Sequence, residues 1–361
     1  LKVIAFYLPQ YHVIPENDKW WGEGFTEWTN VKRAVPLFSG HNQPRIPLNN
    51  NYYNLLDKNT LIWQAGLANQ YKIGAMCFYH YWFLGKQLLE KPAEILLENK
   101  EINMPFLFSW ANEPWTRAWD GSHRNVLMPQ SYGTEADWEK HFNYLKPFFE
   151  DERYLKHDGK PIFIIYRTAN FALCNEWISC WRELSKNTSF KDIHFVSSYT
   201  SFENDPRKLD FDAHLYFEPM CTVGHNLGYF NKKIKKINAR LKRVINQKFG
   251  TTYVENTLQY DYLWEKILKK KINKTQYPGA FVDWDNSARK KSRALVIHGG
   301  SPKKFGLYLD KLYKRSIENN CPFLFINAWN EWAEGTYLEP DEKNKYSYLE
   351  ELKKVIEKYE V

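Results

Sequence analysis

Glu331 and Glu334 lie three residues apart in the segment 322–340, PFLFINAWNEWAEGTYLEP. On a helical turn that spacing sets both carboxylates on one face. Trp329 stands before the pair and Trp332 between its two acids, and Asn327 and Asn330 precede it. Two carboxylates among indoles are suited to cleaving a glycosidic bond: one group gives a proton, the other takes one or attacks. A plain solvated turn could carry the same two acids. Here, however, they follow the apolar run FLFI, which reads as a strand buried on both faces, and Gly335 then lets the chain turn away. The pair therefore reads as catalytic.

Three other clusters have the same layout, an apolar run followed by polar and aromatic residues. They are His80/Tyr81, Asn112/Glu113 and Asp283/Asp285/Arg289. Trp82, Trp110, Trp115 and Trp284 stand beside them, and with Trp329 and Trp332 they are candidates to stack on sugar rings. Asn112-Glu113-Pro114 resembles the Asn-Glu pair that many barrel glycosidases place at a strand end, so Glu113 rivals Glu334 as the acid. Its plainer roles are a hydroxyl ligand or an ion pair with Arg117. His80 could bind a hydroxyl, orient a carboxylate or be structural. Asp210-Phe211-Asp212 and Asp283-Trp284-Asp285 both fit the D-x-D pattern used to hold a metal and nucleotide phosphates. The first lies at the start of an inferred strand. The second is expected to bind sugar hydroxyls. No His/Cys cluster, Walker-type loop or Gly-x-Ser-x-Gly elbow is present, so neither metal nor cofactor is expected.

These clusters need elements to hold them. Strands are expected at 1–9, 73–79, 105–109, 161–166, 193–197, 211–217, 279–282 and 323–326. Helices are expected at 60–71 with Thr60 as N-cap, 88–99, 134–150, 173–186, 301–319 and 346–359, with two more in the basic stretch 231–274. Eight short strands alternating with helices, with polar residues gathered after each strand, describe a (β/α)8 TIM barrel with its site at the C-terminal strand ends. A doubly wound sheet would more often carry a glycine-rich turn after the first strand, where this chain has LPQYH. The expectation is one catalytic domain over 1–361 with long strand-to-helix loops and a basic helical insertion at 220–275, between strands six and seven.

Aromatic residues make up 17% of the 361, with 15 Trp, 24 Tyr and 23 Phe, more than a core requires. The surplus suggests a surface that binds sugar rings. The net charge is +8, and much of the basic excess lies in 232–243 and 266–274, so a general nucleic-acid surface is not indicated. In NKKIKKINARLKRVINQ the apolar residues recur at helical spacing. This amphipathic cationic helix is either an ordinary surface helix or a peripheral contact with an anionic membrane through 231–274. Five scattered cysteines, no apolar run of membrane-spanning length and no visible signal peptide lead to the expectation of a cytoplasmic protein, at most peripheral at the inner membrane.

Several longer motifs carry a family resemblance. Residues 6–12 (FYLPQYH), the 20–28 loop with GFTEWTNV, 108–113 (FSWANE), 284–286 (WDN) and 330–336 (NEWAEGT) resemble the WbsX-like proteins of bacterial O-antigen and capsule clusters. Those proteins are labelled glycosyltransferases and are also described as having a glycoside hydrolase family 99-like domain. The resemblance implies a carbohydrate-active barrel acting on an oligo- or polysaccharide, possible lipid linkage included. It is similar at 330–336 to the endo-α-mannosidases. That similarity implies that Glu331 is the base that takes the 2-hydroxyl proton, so that O2 attacks C1 to form a 1,2-anhydro sugar, and that Glu334 is the acid. Tyr7, His12 and Trp28, from the motifs near the start of the chain, join His80, Tyr81, Trp110, Asn112, Glu113, Asp283, Trp284, Asp285, Arg289, Trp329, Asn330 and Trp332 as expected substrate contacts. Rival readings are a glycosyltransferase or transglycosylase with a lipid-linked acceptor, and a glycan-binding barrel without catalysis.

Overall fold

The computed structural model describes residues 1–117, 125–201 and 209–360, with the side chains of 229–232 and 235, including Lys232 and Lys235 of the basic run, outside the described set. Nine parallel strands form its central sheet: β1 Lys2–Tyr7, β2 Ala75–Phe83, β3 Phe106–Trp110, β4 Lys160–Ile165, β5 His194–Tyr199, β6 Ala213–Tyr216, β7 Gln276–Tyr277, β8 Gly279–Phe281 and β9 Phe323–Asn327. Their order is β7-β6-β5-β4-β3-β2-β1-β9-β8.

β7 and β8 are two halves of one chain pass. His214 of β6 pairs with Gln276, whereas Gly279 pairs with Phe325 of β9. Pro278 between them has no N–H to continue a ladder, but its carbonyl accepts from Phe325 N at 3.0 Å. The pass therefore touches both ends of the sheet and makes a nearly closed barrel. The seventh expected strand, 279–282, is thus present as Gly279–Phe281, and the pass begins earlier than expected, at Gln276–Tyr277 before Pro278. Glycine is needed at this junction, because a Cβ on residue 279 would lie 1.8 Å from the Tyr216 carbonyl oxygen.

Helices Lys58–Gln70, Lys91–Glu98, Glu135–Glu150, Cys174–Ser185, Pro302–Glu318 and Ser347–Tyr359 surround the strands. Cys174–Ser185 shows why such segments dock: Cys174, Trp177, Ile178 and Trp181 fall on one face and are buried. Ser301 caps Pro302–Glu318 by accepting from Lys304 N, with proline in the first turn. The cap of Lys58–Gln70 is Asp57, whose side chain accepts from Asn59 N at 2.9 Å, and not Thr60, which lies buried inside the helix.

The core absorbs most of the aromatic surplus. Phe6 on β1 reaches Phe217 beyond the end of β6, on the opposite wall, with ring centroids 4.9 Å apart, and also meets Phe325 and Tyr79. Trp28, Trp82, Trp110, Trp284, Trp329 and Trp332 are each at most 6% exposed. These tryptophans are packing groups beneath the mouth, which corrects the expectation that they stack on sugar rings, whereas Trp115 stays half-buried.

Long connections build the mouth. After β1 come helices Pro15–Trp21 and Glu27–Arg33, and after β6 come Met220–His225, Tyr229–Phe249, strand Asn256–Gln259 and helix Tyr260–Ile267. Asn256–Gln259 pairs in parallel with Leu295–His298, which lies beyond β8. Among the described residues no helix is long and apolar enough to cross a membrane.

Candidate active site

Beyond β9, Asn330–Glu331 pairs antiparallel with Thr336–Tyr337, and the turn between them, Trp332–Glu334, is a single 3-10 helix. Gly335 closes the turn at φ +65, where a Cβ would press against the Asp285 backbone at 3.0 Å. This tight hairpin brings both carboxylates to one cation from another strand end. Arg289, on the short helix Ser287–Lys290 after β8, donates from Nη1 to Glu334 Oε1 at 2.7 Å and from Nη2 to Glu331 Oε2 at 3.4 Å. Its Nε donates to Glu27 Oε1 at 2.9 Å. Three carboxylates thus surround one guanidinium.

The charge balance is uneven. Burial, and then the neighbouring Glu334 charge, push the Glu331 carboxyl up to about 8, with Arg289 opposing. At neutral pH the free site therefore holds a proton on this pair, mainly at Glu331. Burial alone would weaken the Arg289 guanidinium, but Glu27, Glu334 and Glu331 hold it well above its usual value. Tyr11 donates its hydroxyl to the Asn330 carbonyl. Burial and then the Glu331 charge raise the phenols of Tyr79 and Tyr81, so both remain neutral donors.

A second layer fixes the hairpin. The Asn330 side chain accepts from Leu8 N at 2.7 Å and donates to Leu8 O at 3.0 Å, clamping the end of β1. Trp332 stacks on Tyr337 and donates to Glu339 at 2.7 Å. Glu339 also accepts from Gln64 and Tyr53, and burial raises it to about 7. Asp285 N donates to Glu334 O at 2.7 Å. The Asp285 carboxylate accepts from Gln43 at 2.9 Å, lies 2.7 Å from His41 Nε2 and takes the Ser287 backbone N–H. Burial would raise Asp285, but these partners and the Arg45 charge hold it well below the usual range. Asp283 pairs with Arg45 at 2.9 Å, yet burial still raises its carboxyl.

Glu113 faces the same mouth. It pairs with Arg167 at 2.6 Å, in place of the expected Arg117. Tyr166 reports its proximity: its phenol is raised by burial, then by Glu113, Glu334 and Glu331. Asn112 does not project into the mouth, since its amide donates to Arg167 O and accepts from Arg167 N at 2.7 Å.

Several other candidates are seated away from the opening. Tyr7 points between strand and helix, donating to Gln64 at 2.7 Å. His80 lies 2.8 Å from His141 beneath Glu135–Glu150, and burial lowers it to about 3, leaving a neutral structural imidazole. His12 is 1% exposed and lowered by burial to about 4. Trp28 donates to Tyr53 O, and Trp110 packs against Trp177 and His141. Of the D-x-D candidates, Asp212 pairs with Arg182, and Asp283 and Asp285 are engaged as above. The hairpin acids, Arg289, Tyr81 and Glu113 are therefore the sequence candidates gathered at the mouth. Glu27 joins them through Arg289, while Arg45 and Glu339, which no motif singled out, brace the hairpin from beneath. Glu27 sat inside the aromatic 20–28 loop, where an acid between Phe25 and Trp28 was a usable signal.

Comparison with known proteins shows the family and the fold. The sequence model of the family described as Glycosyltransferase WbsX matches residues 3–352. Two proteins called uncharacterized protein WxcX, both from Xanthomonas campestris pv. campestris, are similar: that of strain ATCC 33913 is 33% identical over 362 residues and that of strain B100 34% over 358. Each alignment covers 98% of this chain and 49% of the relative, so the chain spans about half the length of the curated relatives it matches. The solved GH99 endo-alpha-mannosidase from Bacteroides thetaiotaomicron is similar in fold, with a TM-score of 0.56 at 15% identity, over 99% of this chain and 96% of that one.

Proposed function

Since the chain belongs to the Glycosyltransferase WbsX family, we propose that it is a carbohydrate-active enzyme of bacterial surface-polysaccharide metabolism that cleaves a glycosidic bond with retention. The observation that carries this reading is the Glu331–Arg289–Glu334 cluster, two carboxylates sharing one guanidinium at the C-terminal end of a barrel. The proton that the free site holds mainly at Glu331 passes to Glu334 once substrate is bound, and Glu331 then acts as base on the 2-hydroxyl. A carboxylate whose proton affinity lies near the working pH is better matched to that task than an ordinary glutamate. O2 then attacks C1, Glu334 protonates the leaving oxygen, and water opens the anhydro sugar. Arg289 holds the two carboxylates in fixed relation and limits the repulsion between them. In this reading Tyr81 and Glu113 bind sugar hydroxyls.

The family's name favours a second reading, transfer to a sugar acceptor. The same pair could serve it, with an acceptor hydroxyl in the place of water. A nucleotide-diphosphate site built on Asp283 and Asp285 fits less well, because Arg45, His41 and Gln43 already engage both side chains. The substrate class on either reading is an oligo- or polysaccharide repeat, lipid-linked forms included.

Proton NMR of the protein with its own strain's polysaccharide or lipid-linked repeat unit, without nucleotide sugar, tests the proposal. A shorter glycan released with its anomeric configuration retained is the expected result. No cleavage, followed by sugar transfer once nucleotide sugars are added, would replace hydrolysis with transfer.

A further inference from the structure

An amphipathic helix ordinarily turns its apolar stripe to the core. Helix Tyr229–Phe249 does the opposite. Ile234, Ile237, Leu241, Val244, Ile245 and Phe249 are all between 38% and 66% exposed. These positions fall on one side of the helix at 100° per residue. The opposite side meets the protein: Ala239 is buried, and Asn246 accepts from Tyr253 N at 2.9 Å. Lys233, Lys236 and Arg240, all exposed, line one flank of the stripe. The helix thus presents a continuous apolar strip edged with cations.

Its location ties it to the mouth. Arg243 pairs with Glu255 at 2.7 Å and Lys242 donates to Val254 O, fastening the helix to the segment entering Asn256–Gln259. That strand pairs with Leu295–His298, whose Val296 forms a bridge with Asp285, and Asp285 N holds the Glu334 carbonyl. The stripe therefore belongs to the C-terminal rim that carries the carboxylates.

We infer that Tyr229–Phe249 docks the barrel on an anionic phospholipid surface, with the stripe in the headgroup–acyl boundary and the lysines and arginine on lipid phosphates. Charge complementarity selects this occupant. The chain carries a net +8, so a second copy would bring like charges together along the cationic flank, whereas an anionic bilayer meets both the charge and the apolar strip. Docking at this rim would bring the mouth to a lipid-linked glycan. That consequence rests on the proposed function, but the docking itself does not.

Sedimentation with vesicles tests the inference without any glycan, so its failure and the failure of the catalytic reading are separable. The protein is expected to pellet with phosphatidylethanolamine–phosphatidylglycerol vesicles and not with phosphatidylcholine vesicles. About 0.5 M NaCl should weaken partitioning by at least about tenfold. The combined variants I237S/L241S/V244S and K236E/R240E should each lower it by at least about tenfold, with unchanged circular dichroism, because every altered side chain is exposed. Equal pelleting with the two vesicle types, or wild-type partitioning by both variants, would overturn the inference. A lipid-free dimer abolished by the stripe variant would overturn it in favour of a second copy.

Discussion

At the scale of single residues, the site turns on where one proton sits. The Glu331–Glu334 pair shares Arg289, and the upper ionisation, carried mainly by Glu331, lies near 8. A pair working as one base and one acid needs one proton in total, whichever glutamate holds it in the free enzyme. kcat/KM is therefore expected to fall about tenfold per pH unit above the upper value near 8, as that proton is lost. A profile flat to pH 10 would remove the pair from proton transfer. Glu331→Gln and Glu334→Gln keep size and hydrogen bonding but cannot exchange the proton, so each should lower turnover by about 10²–10⁴-fold while leaving the fold intact. Wild-type rates in either variant would end the assignment of that glutamate to proton transfer. The two acids were legible in the sequence because their spacing and strand-end position are local. Arg289 was legible because it follows Asp283-Trp284-Asp285 closely. Glu27 was not singled out, since its meeting with Arg289 spans 262 residues and depends on the closed barrel.

At the scale of elements, sequence pattern located the strands well and the side-chain directions poorly. Apolar runs such as PIFIIY are buried whichever face they present, so the strand is evident but the partner is not. The split at Pro278 follows from a missing N–H that could have been read beforehand. Strand-end position does not tell whether an indole faces the mouth or packs beneath it, so the tryptophans' burial is not legible in the sequence. Asn330 is a related case: its neighbours suggested substrate, but its amide clamps Leu8. That clamp ties the hairpin to β1, and Asn330 is fully buried. Asn330→Ala leaves Leu8 N and O without these partners, which should destabilise the protein by about 2–4 kcal/mol. A denaturant titration measures it, and a shift under about 0.5 kcal/mol would mean that the β1 end holds without the clamp. Because Glu331 is the next residue, the surviving folded fraction should also turn over more slowly.

At the scale of the whole molecule, the buried titratable groups set an acid and an alkaline limit on stability. His12 and His80 have folded values lowered from 6.5 to about 4 and about 3. The unfolded chain binds their protons more readily between those values and 6.5, so acidification through that window favours unfolding. Glu331 and Glu339 have folded values raised from 4.5 to about 8 and about 7. Here the native state is the one holding protons, so the stability they contribute is fully present below 4.5 and is lost as pH rises toward 8. From 4.5 to 6.5 the histidines and the glutamates oppose each other. Above 6.5 only the glutamates remain, each with a slope of about 1 kcal/mol per pH unit until its own value is passed. The melting temperature is therefore expected to decline from pH 6.5 to 8. Glu339→Gln should remove the part of that decline below pH 7, and Glu331→Gln the part that continues to 8. A melting temperature that is level or rising between pH 6.5 and 8 in the wild type would mean that these carboxyls are already ionised in the native state. The proton placed on the catalytic pair would then be absent as well, so the stability curve checks the site's electrostatics without requiring any substrate.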